Sequence, residues 1–389
     1  MKIALINADF PPSRGSGQTV YAEKIARGLA KNHHVTVITS HVPGSANEEW
    51  IDNARVIRLQ IPNWDSSKWL LFGRYAAQFL HRHRADFNFD IIHFLDAHVG
   101  YAFNDAFIGT LHQSFRQRLN SNKGFPYSSS IINLVQRYPY YLFSRYLERK
   151  ALKKATAFIS VSKAIRKEFI NHYEVEPFGI RCIHNGIDTD LFQPTTFNYL
   201  TKKFKLENVK IILYIGFSTP RKGLETLAHA VSQLKERNIK LIIVGKWEKG
   251  YRKKFYSCLG DSRDKIIEAG YVPDIEIPAY YSLADVFVLP SLLEGFGFPL
   301  VESMACETPV ISTNVGAIPE IVDRYGIIIP PHNSSLLAEK IDFLISNDQI
   351  RYYLGRRSRT WVLNNFSENI MIDKTISYYQ ELIDDKKLI

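Results

Sequence analysis

Asp285-Val-Phe-Val-Leu-Pro290-Ser-Leu-Leu-Glu294-Gly-Phe-Gly-Phe-Pro299-Leu-Val-Glu302-Ser-Met-Ala305 is the stretch from which the fold can be read. It starts with a short, continuously apolar run closed by a proline. That pattern suits a parallel strand buried on both faces, because a half-exposed strand would alternate apolar and polar residues. Gly295 and Gly297 then allow a tight approach of the backbone, Pro299 suits a first helical position, and apolar residues at helical spacing follow. Strand, glycine turn and helix in succession form the repeating unit of a doubly wound α/β sheet.

The same rhythm extends in both directions. Residues 210–216, 240–245, 309–313 and 326–330 read as further buried strands of the second half. Residues 2–7, 35–39, 56–60, 90–95, 107–111, 157–161 and 181–184 do so in the first. The chain has 389 residues, 46% of them apolar and 23% charged, which excludes a disordered or fibrous protein and provides for two domains. The expected organisation is a Rossmann-like domain over 1–184, a second over 185–366, and a terminal helix over 367–389 that returns to the first. Residues 185–208 are polar, contain Gly186 and Pro194, and read as the linker. Sheets of this kind bind ligands outside the carboxyl ends of their strands, so an interdomain cleft is the expected site.

Charge is divided unevenly. Residues 1–184 hold 24 Lys and Arg against 14 Asp and Glu, whereas the remainder is balanced, so the net charge of +10 belongs to the first half. Residues 115–154 concentrate it: Arg116, Arg118, Lys123, Arg137, Arg145, Arg149, Lys150, Lys153 and Lys154 are opposed only by Glu148. Aromatic residues, among them Phe125, Tyr127, Tyr138, Tyr140, Tyr141, Phe143 and Tyr146, are interleaved. This composition fits an anionic membrane surface and equally a solvated helix whose aromatics pack inward. Pro139 predicts a break in any helix there. No nucleic-acid partner is expected. Cys182, Cys258 and Cys306 have neither disulfide-framework nor metal spacing. The N-terminus reads directly into a strand, and no stretch is long and apolar enough to span a bilayer. These features predict a cytoplasmic protein, with peripheral attachment to the inner face of the membrane as its one membrane contact.

Chemistry concentrates in the opening stretch. Main-chain N–H groups at the start of the helix can hold an anion or sugar hydroxyls. Glu294 and Glu302 are acceptors suited to a polyhydroxylated ligand, although a carboxylate near a helix start also has a purely electrostatic use. Pro220-Arg221-Lys222-Gly223 places two cations beside a glycine turn; alone, such a pair is most often solvated. His112 ends the run 107–111, and Asp96 and His98 follow the run 90–95.

Glu294 and Glu302, with seven residues between them, resemble the E-x7-E motif of the retaining, family-4 type of nucleotide-sugar glycosyltransferases, whose GT-B architecture has two facing Rossmann-like domains. The resemblance continues through Thr308-Pro309-Val310-Ile311 and Val315-Gly316-Ala317-Ile318-Pro319-Glu320-Ile321-Val322. Phe10 to Gly17 looks like the family's N-terminal glycine loop, Ser160-Val161-Ser162 like the end of its first domain, and His184-Asn185-Gly186-Ile187-Asp188 like its crossover. The resemblance implies that Lys222, with Arg221, pairs with the donor diphosphate and that Glu302 holds the ribose. It implies that Glu294 and the backbone of Phe296, Gly297 and Phe298 position the transferred sugar. Gly17 would approach the phosphates, His112 would orient the sugar or stabilise charge, and Asp96 and His98 would face a glycan or lipid-linked acceptor.

Three positions depart from the family pattern: Phe217 stands after Gly216 where an arginine is usual, Glu307 stands at a usual glycine, and the N-terminal loop is Gly-Ser-Gly. Asp188-Thr189-Asp190 matches a metal-binding D-x-D pattern, yet its place in the crossover predicts a turn cap. No metal and no cofactor beyond the nucleotide-sugar donor are expected. The expected function is metal-independent, retaining transfer of a sugar in bacterial-type cell-surface polysaccharide synthesis. The rival is a nucleotide-sugar-binding scaffold or partner protein without transfer, motivated by Phe217.

Overall fold

The computed structural model describes residues 1–13, 17–62, 68–120, 131–235 and 238–385. The chain divides into two units, one of residues 1–120, 138–186 and 368–389, the other of residues 121–137 and 187–367. In the first, strands β1 (Lys2–Ile6), β2 (His34–Ser40), β3 (Glu48–Ile51), β4 (Ala54–Leu59), β5 (Ile91–Phe94), β6 (Ile108–Leu111), β7 (Ala157–Ser160) and β8 (Ile180–Cys182) form one sheet. Its order is β3-β4-β2-β1-β5-β6-β7-β8, parallel except for the antiparallel β3–β4 pair. In the second, β9 (Lys210–Ile215), β10 (Ile239–Val244), β11 (Ile266–Gly270), β12 (Val286–Leu289), β13 (Val310–Thr313) and β14 (Ile327–Ile329) form a parallel sheet of order β11-β10-β9-β12-β13-β14.

Central strands such as β1, β9 and β12 are buried along nearly their whole length, which explains why their sequences are apolar runs. Each sheet reverses its winding direction once, between β1 and β5 in the first and between β9 and β12 in the second. These switch points are where an open α/β sheet leaves a crevice. Two edge strands escape the sequence reading: β3 (Glu-Glu-Trp-Ile) is half exposed and polar, and β11 is only partly covered. Neither carries the buried apolar run by which the others were found. Residues 185–208, expected to be linker, include the helix Asn198–Phe204, anchored by the buried Leu200.

The helix Ile131–Leu152 runs uninterrupted through Pro139, contrary to the expected break. Proline removes one helical donor and crowds the preceding turn. Here its ring faces solvent, and the buried stripe Ser144, Leu147, Glu148 and Ala151 anchors the helix beyond it. That stripe also corrects the inward-packing reading of the aromatics. Tyr140 turns inward, its hydroxyl accepting from Trp69 Nε1 at 2.6 Å, but Tyr138, Phe143 and Tyr146 are exposed. Lys123, Phe125, Tyr127 and the Arg137 side chain lie outside the described residues, as do Gly15 and Ser16 of the N-terminal loop. Among the described residues no helix is long and apolar enough to cross a membrane.

The helix Glu368–Asp384 belongs to the first unit. Arg27 donates to both carboxylate oxygens of Glu368 at 3.2 and 2.9 Å. Tyr379 lies fully buried, its hydroxyl 2.6 Å from His93 Nδ1.

Candidate functional site

In the second unit the groups expected to act gather at the switch point. The turn Pro220–Lys222 follows β9, and the loop bearing Glu294 follows β12, the neighbouring strand. Leu292 N donates to Arg221 O at 2.7 Å, and Arg221 Nη1 reaches Leu293 O at 3.5 Å, so turn and loop are laced together. Lys222 Nζ donates to Glu294 Oε2 at 2.5 Å, with both side chains about nine-tenths buried. Ser291 Oγ donates to the same oxygen at 3.2 Å. Burial would raise the Glu294 carboxyl, but the Lys222 ammonium and the Arg221 guanidinium beside it hold it below the usual carboxylate range. Burial lowers Lys222, an effect that Glu294 opposes. The result is a dry, pre-paired charge couple at the carboxyl end of the sheet.

Two glycines make the loop possible. Gly297, immediately before the helix Phe298–Ala305, has φ of +98°, a region closed to most side chains. Gly316 passes under the loop so closely that a Cβ would stand 1.9 Å from the Glu294 carbonyl oxygen. Phe296 is buried, its ring 5.3 Å from that of Phe298. Glu302, one turn into the helix, accepts from the Tyr281 hydroxyl at 2.9 Å. Lys222 and Glu294 are thus joined directly and Arg221 is tied to the main chain beside them, whereas Glu302 bonds Tyr281. Phe217, just beyond β9, has a half-exposed ring. Asp188 Oδ1 accepts from Asp190 N and Leu191 N, both at 3.0 Å, making it a turn cap.

In the first unit a second set collects at the β1–β5 switch point. Gly17 begins the helix Gly17–Ala30 and is exposed. Its neighbour Gln18 donates from Nε2 to Asp96 Oδ2 at 2.5 Å. His98 Nδ1 bonds the other oxygen of Asp96. Burial would raise the Asp96 carboxyl, but His98, reinforced by His112 and Arg118, brings it down to about 2. His112 follows β6 and bonds Leu95 O through Nε2 at 2.9 Å, while Tyr21 packs edge-on against its ring. A carbonyl only accepts, so the neutral ring carries its proton on Nε2 and offers Nδ1 as an acceptor. Burial keeps His112 below the ordinary histidine range.

Several partners escaped the sequence reading. Ser291 and Gly316 lay within the segments that were read, but neither residue type announces a partner. Tyr281, Gln18 and Trp69 carry no local signal, since their relevance exists only through contacts made in the fold.

Comparison with known proteins agrees with this arrangement. Residues 15–191 match the Glycosyltransferase Family 4 model and residues 197–361 the Glycosyl transferases group 1 model. An uncharacterized glycosyltransferase of Methanocaldococcus jannaschii is 26% identical over 98% of each chain. The capsular polysaccharide biosynthesis glycosyltransferase CapM of Staphylococcus aureus is 29% identical over 69% of this chain and 70% of its own. Among solved structures, sucrose-phosphate synthase from Thermosynechococcus elongatus superposes with a TM-score of 0.80 at 25% identity, covering 99% of each chain. With both family models matched in order along the chain and the fold shared from end to end, this protein belongs to the family-4-type glycosyltransferases of GT-B fold.

Proposed function

We propose that this glycosyltransferase is retaining and metal-independent, and that it moves a sugar from a nucleotide-sugar donor to a glycan or lipid-linked acceptor in bacterial-type cell-surface polysaccharide synthesis. The observation that carries the reading is the buried Lys222–Glu294 pair beside Arg221. A leaving nucleoside diphosphate accumulates negative charge as its bond to the sugar breaks. Lys222 and Arg221 supply fixed positive charge for it in a site with little water, which is the work a divalent cation does elsewhere. Glu302, held by Tyr281, accepts from the ribose hydroxyls, Glu294 accepts from hydroxyls of the sugar, and the main-chain N–H groups of Phe296, Gly297 and Phe298 donate to it. Gly17 lends its main-chain N–H to the phosphates, and His112 orients the sugar through Nδ1. In front-face transfer the acceptor oxygen bonds the anomeric carbon as the phosphate oxygen leaves, and that phosphate oxygen takes the acceptor's proton. No covalent sugar–Glu294 intermediate is required.

The pathway assignment is supported by the likeness to CapM. The exposed Tyr138, Phe143 and Tyr146, with Arg149 and Lys150 on the same helix, suit a peripheral seat on the anionic inner face of the cytoplasmic membrane. Flotation with anionic vesicles should show binding at low salt that weakens at high salt; salt-independent or absent binding sinks that seat.

The decisive test is calorimetric titration of UDP, GDP and ADP in EDTA, followed by NMR assignment of the product anomer. One nucleotide should bind without metal, and Lys222→Ala should weaken it at least tenfold. Loss of binding in EDTA, or an inverted product, overturns the corresponding part of the reading. The apolar ring of Phe217 favours one alternative, a nucleotide-sugar-binding scaffold. Binding without turnover against a broad acceptor panel would establish it.

A further inference from the structure

Four buried polar side chains that the reaction chemistry above does not use form a continuous chain through the first unit. The Tyr379 hydroxyl stands 2.6 Å from His93 Nδ1, His93 Nε2 stands 2.7 Å from Thr110 Oγ1, and Thr110 Oγ1 stands 3.2 Å from the Tyr21 hydroxyl. They come from four elements: the terminal helix, β5, β6 and the helix Gly17–Ala30. None is more than 2% exposed. A neutral imidazole has one donor and one acceptor nitrogen, so His93 accepts from one neighbour and donates to the other. Neither neighbouring hydroxyl can be removed without leaving a buried ring nitrogen unpaired. Burial keeps the chain neutral, driving His93 down to about 3 and Tyr21 up to about 12.

The chain ends against His112. The Tyr21 and His112 rings meet with centroids 5.4 Å apart and planes 80° apart, the edge-to-face geometry that aromatic pairs favour. Among the described residues His112 makes one hydrogen bond, from Nε2 to Leu95 O. One bond fixes a single ring atom, so the plane of the ring, and with it the direction of Nδ1, depends on what packs against it. Tyr21 touches this segment twice, at Thr110 by its hydroxyl and at His112 by its ring. It also lies one helical turn after Gly17 and Gln18, so the same anchor seats the helix start from which Gln18 reaches Asp96.

We propose that Tyr21 is a positioning residue for His112, held in place through Thr110 and His93 by Tyr379, so that the terminal helix sets the direction of the His112 ring. Only the consequence for sugar transfer rests on the function proposed above; the orientation of the ring does not. Nitrogen-15 NMR of the imidazoles in the full chain tests it, with His112 assigned by the signals lost in His112→Gln, because the two ring nitrogens report which of them bears the proton. The native chain should show the Nε2–H form. Tyr21→Phe keeps the packing ring and removes only the hydroxyl tied to Thr110, and Tyr379→Phe acts at the far end of the chain. Each should move the His112 signals away from that form. Tyr378→Phe, which removes a hydroxyl from a buried ring of the same helix outside the chain, should leave them unchanged. In a transfer assay Tyr21→Phe and Tyr379→Phe should lower kcat by about threefold or more while nucleotide affinity stays within about twofold. Unmoved His112 signals in both variants, or an equal movement in Tyr378→Phe, overturn the proposal. The Tyr379→Phe and Tyr378→Phe pair decides it even if Tyr21→Phe fails to fold. Moved signals with unchanged kcat would uphold the positioning and remove His112 from the transfer chemistry instead.

Discussion

Lys222 and Glu294 neutralise one another inside the second unit, and their stability follows from that dependence. Removing one member of a buried pair leaves the other charge without its partner, a loss on the order of 3 kcal/mol. Lys222→Ala should therefore lower the denaturation midpoint substantially, and adding Glu294→Gln should recover most of it, as measured by chemical denaturation. Recovery of stability without recovery of nucleotide binding would separate the structural role of the pair from its chemical one. Glu307 behaves differently. It occupies the left-handed region at φ +61°, where a Cβ costs about 1 kcal/mol. Glu307→Gly should raise the thermal midpoint by about 2–4 °C; no rise would mean that contacts of the glutamate compensate the strain.

At the scale of elements, the short helix Phe115–Asn120, which carries Phe115 and Arg118, is held by the buried Glu148 and the partly buried Glu168. Glu148 accepts from Phe115 N and from the Tyr173 hydroxyl, and Glu168 accepts from Ser114. Burial raises Glu148 to about 8, against the opposing hydrogen bonds of Tyr173 and Phe115, and raises Glu168 to about 7. Both folded-state values lie above the ordinary carboxyl range, so between about pH 5 and 8 the folded protein binds more protons than the unfolded chain. Stability must then fall as pH rises through that window, by up to about 1.4 kcal/mol per pH unit for each group. Glu148→Gln should flatten the thermal midpoint's decline between pH 5 and 8; an unchanged slope would refute this origin. The same replacement keeps an acceptor for Phe115 N, so the helix should stay in place at low pH.

For the whole molecule, the terminal helix returns to the first unit and packs into its core. Met371, Ile372, Tyr378, Tyr379 and Leu382 are buried, and the His93 ring bridges the Tyr379 hydroxyl to Thr110 Oγ1, at 2.6 and 2.7 Å. Burial drives His93 down to about 3, so this link is neutral throughout the physiological range. Deleting residues 368–389 should lower the thermal midpoint by more than about 10 °C, given roughly 1.5–3 kcal/mol for each large apolar side chain left uncovered. The milder Tyr379→Phe strips His93 of one partner and should cost about 2 kcal/mol. Unchanged unfolding of either variant would show that the helix is not integral to the unit.

The sequence alone determined the α/β class, the central strands and the carriers of charge at the site, because each of those is written in neighbouring residues. Apolar runs mark strands buried on both faces, glycines mark close turns, and Lys222, Glu294 and His112 stand immediately beyond such signals. It missed β3 and β11 because edge strands need no continuous apolar run, and it wrongly expected a break at Pro139 because the stripe that anchors that helix is recognised only by what covers it. The pairing of Lys222 with Glu294, the clamp of Gln18 and His98 on Asp96, and the stacking of Trp69 on Phe115 were decided by tertiary structure. These join residues far apart in the chain, and hydrogen bonds, burial and pKa shifts exist only once the fold has removed water from between them.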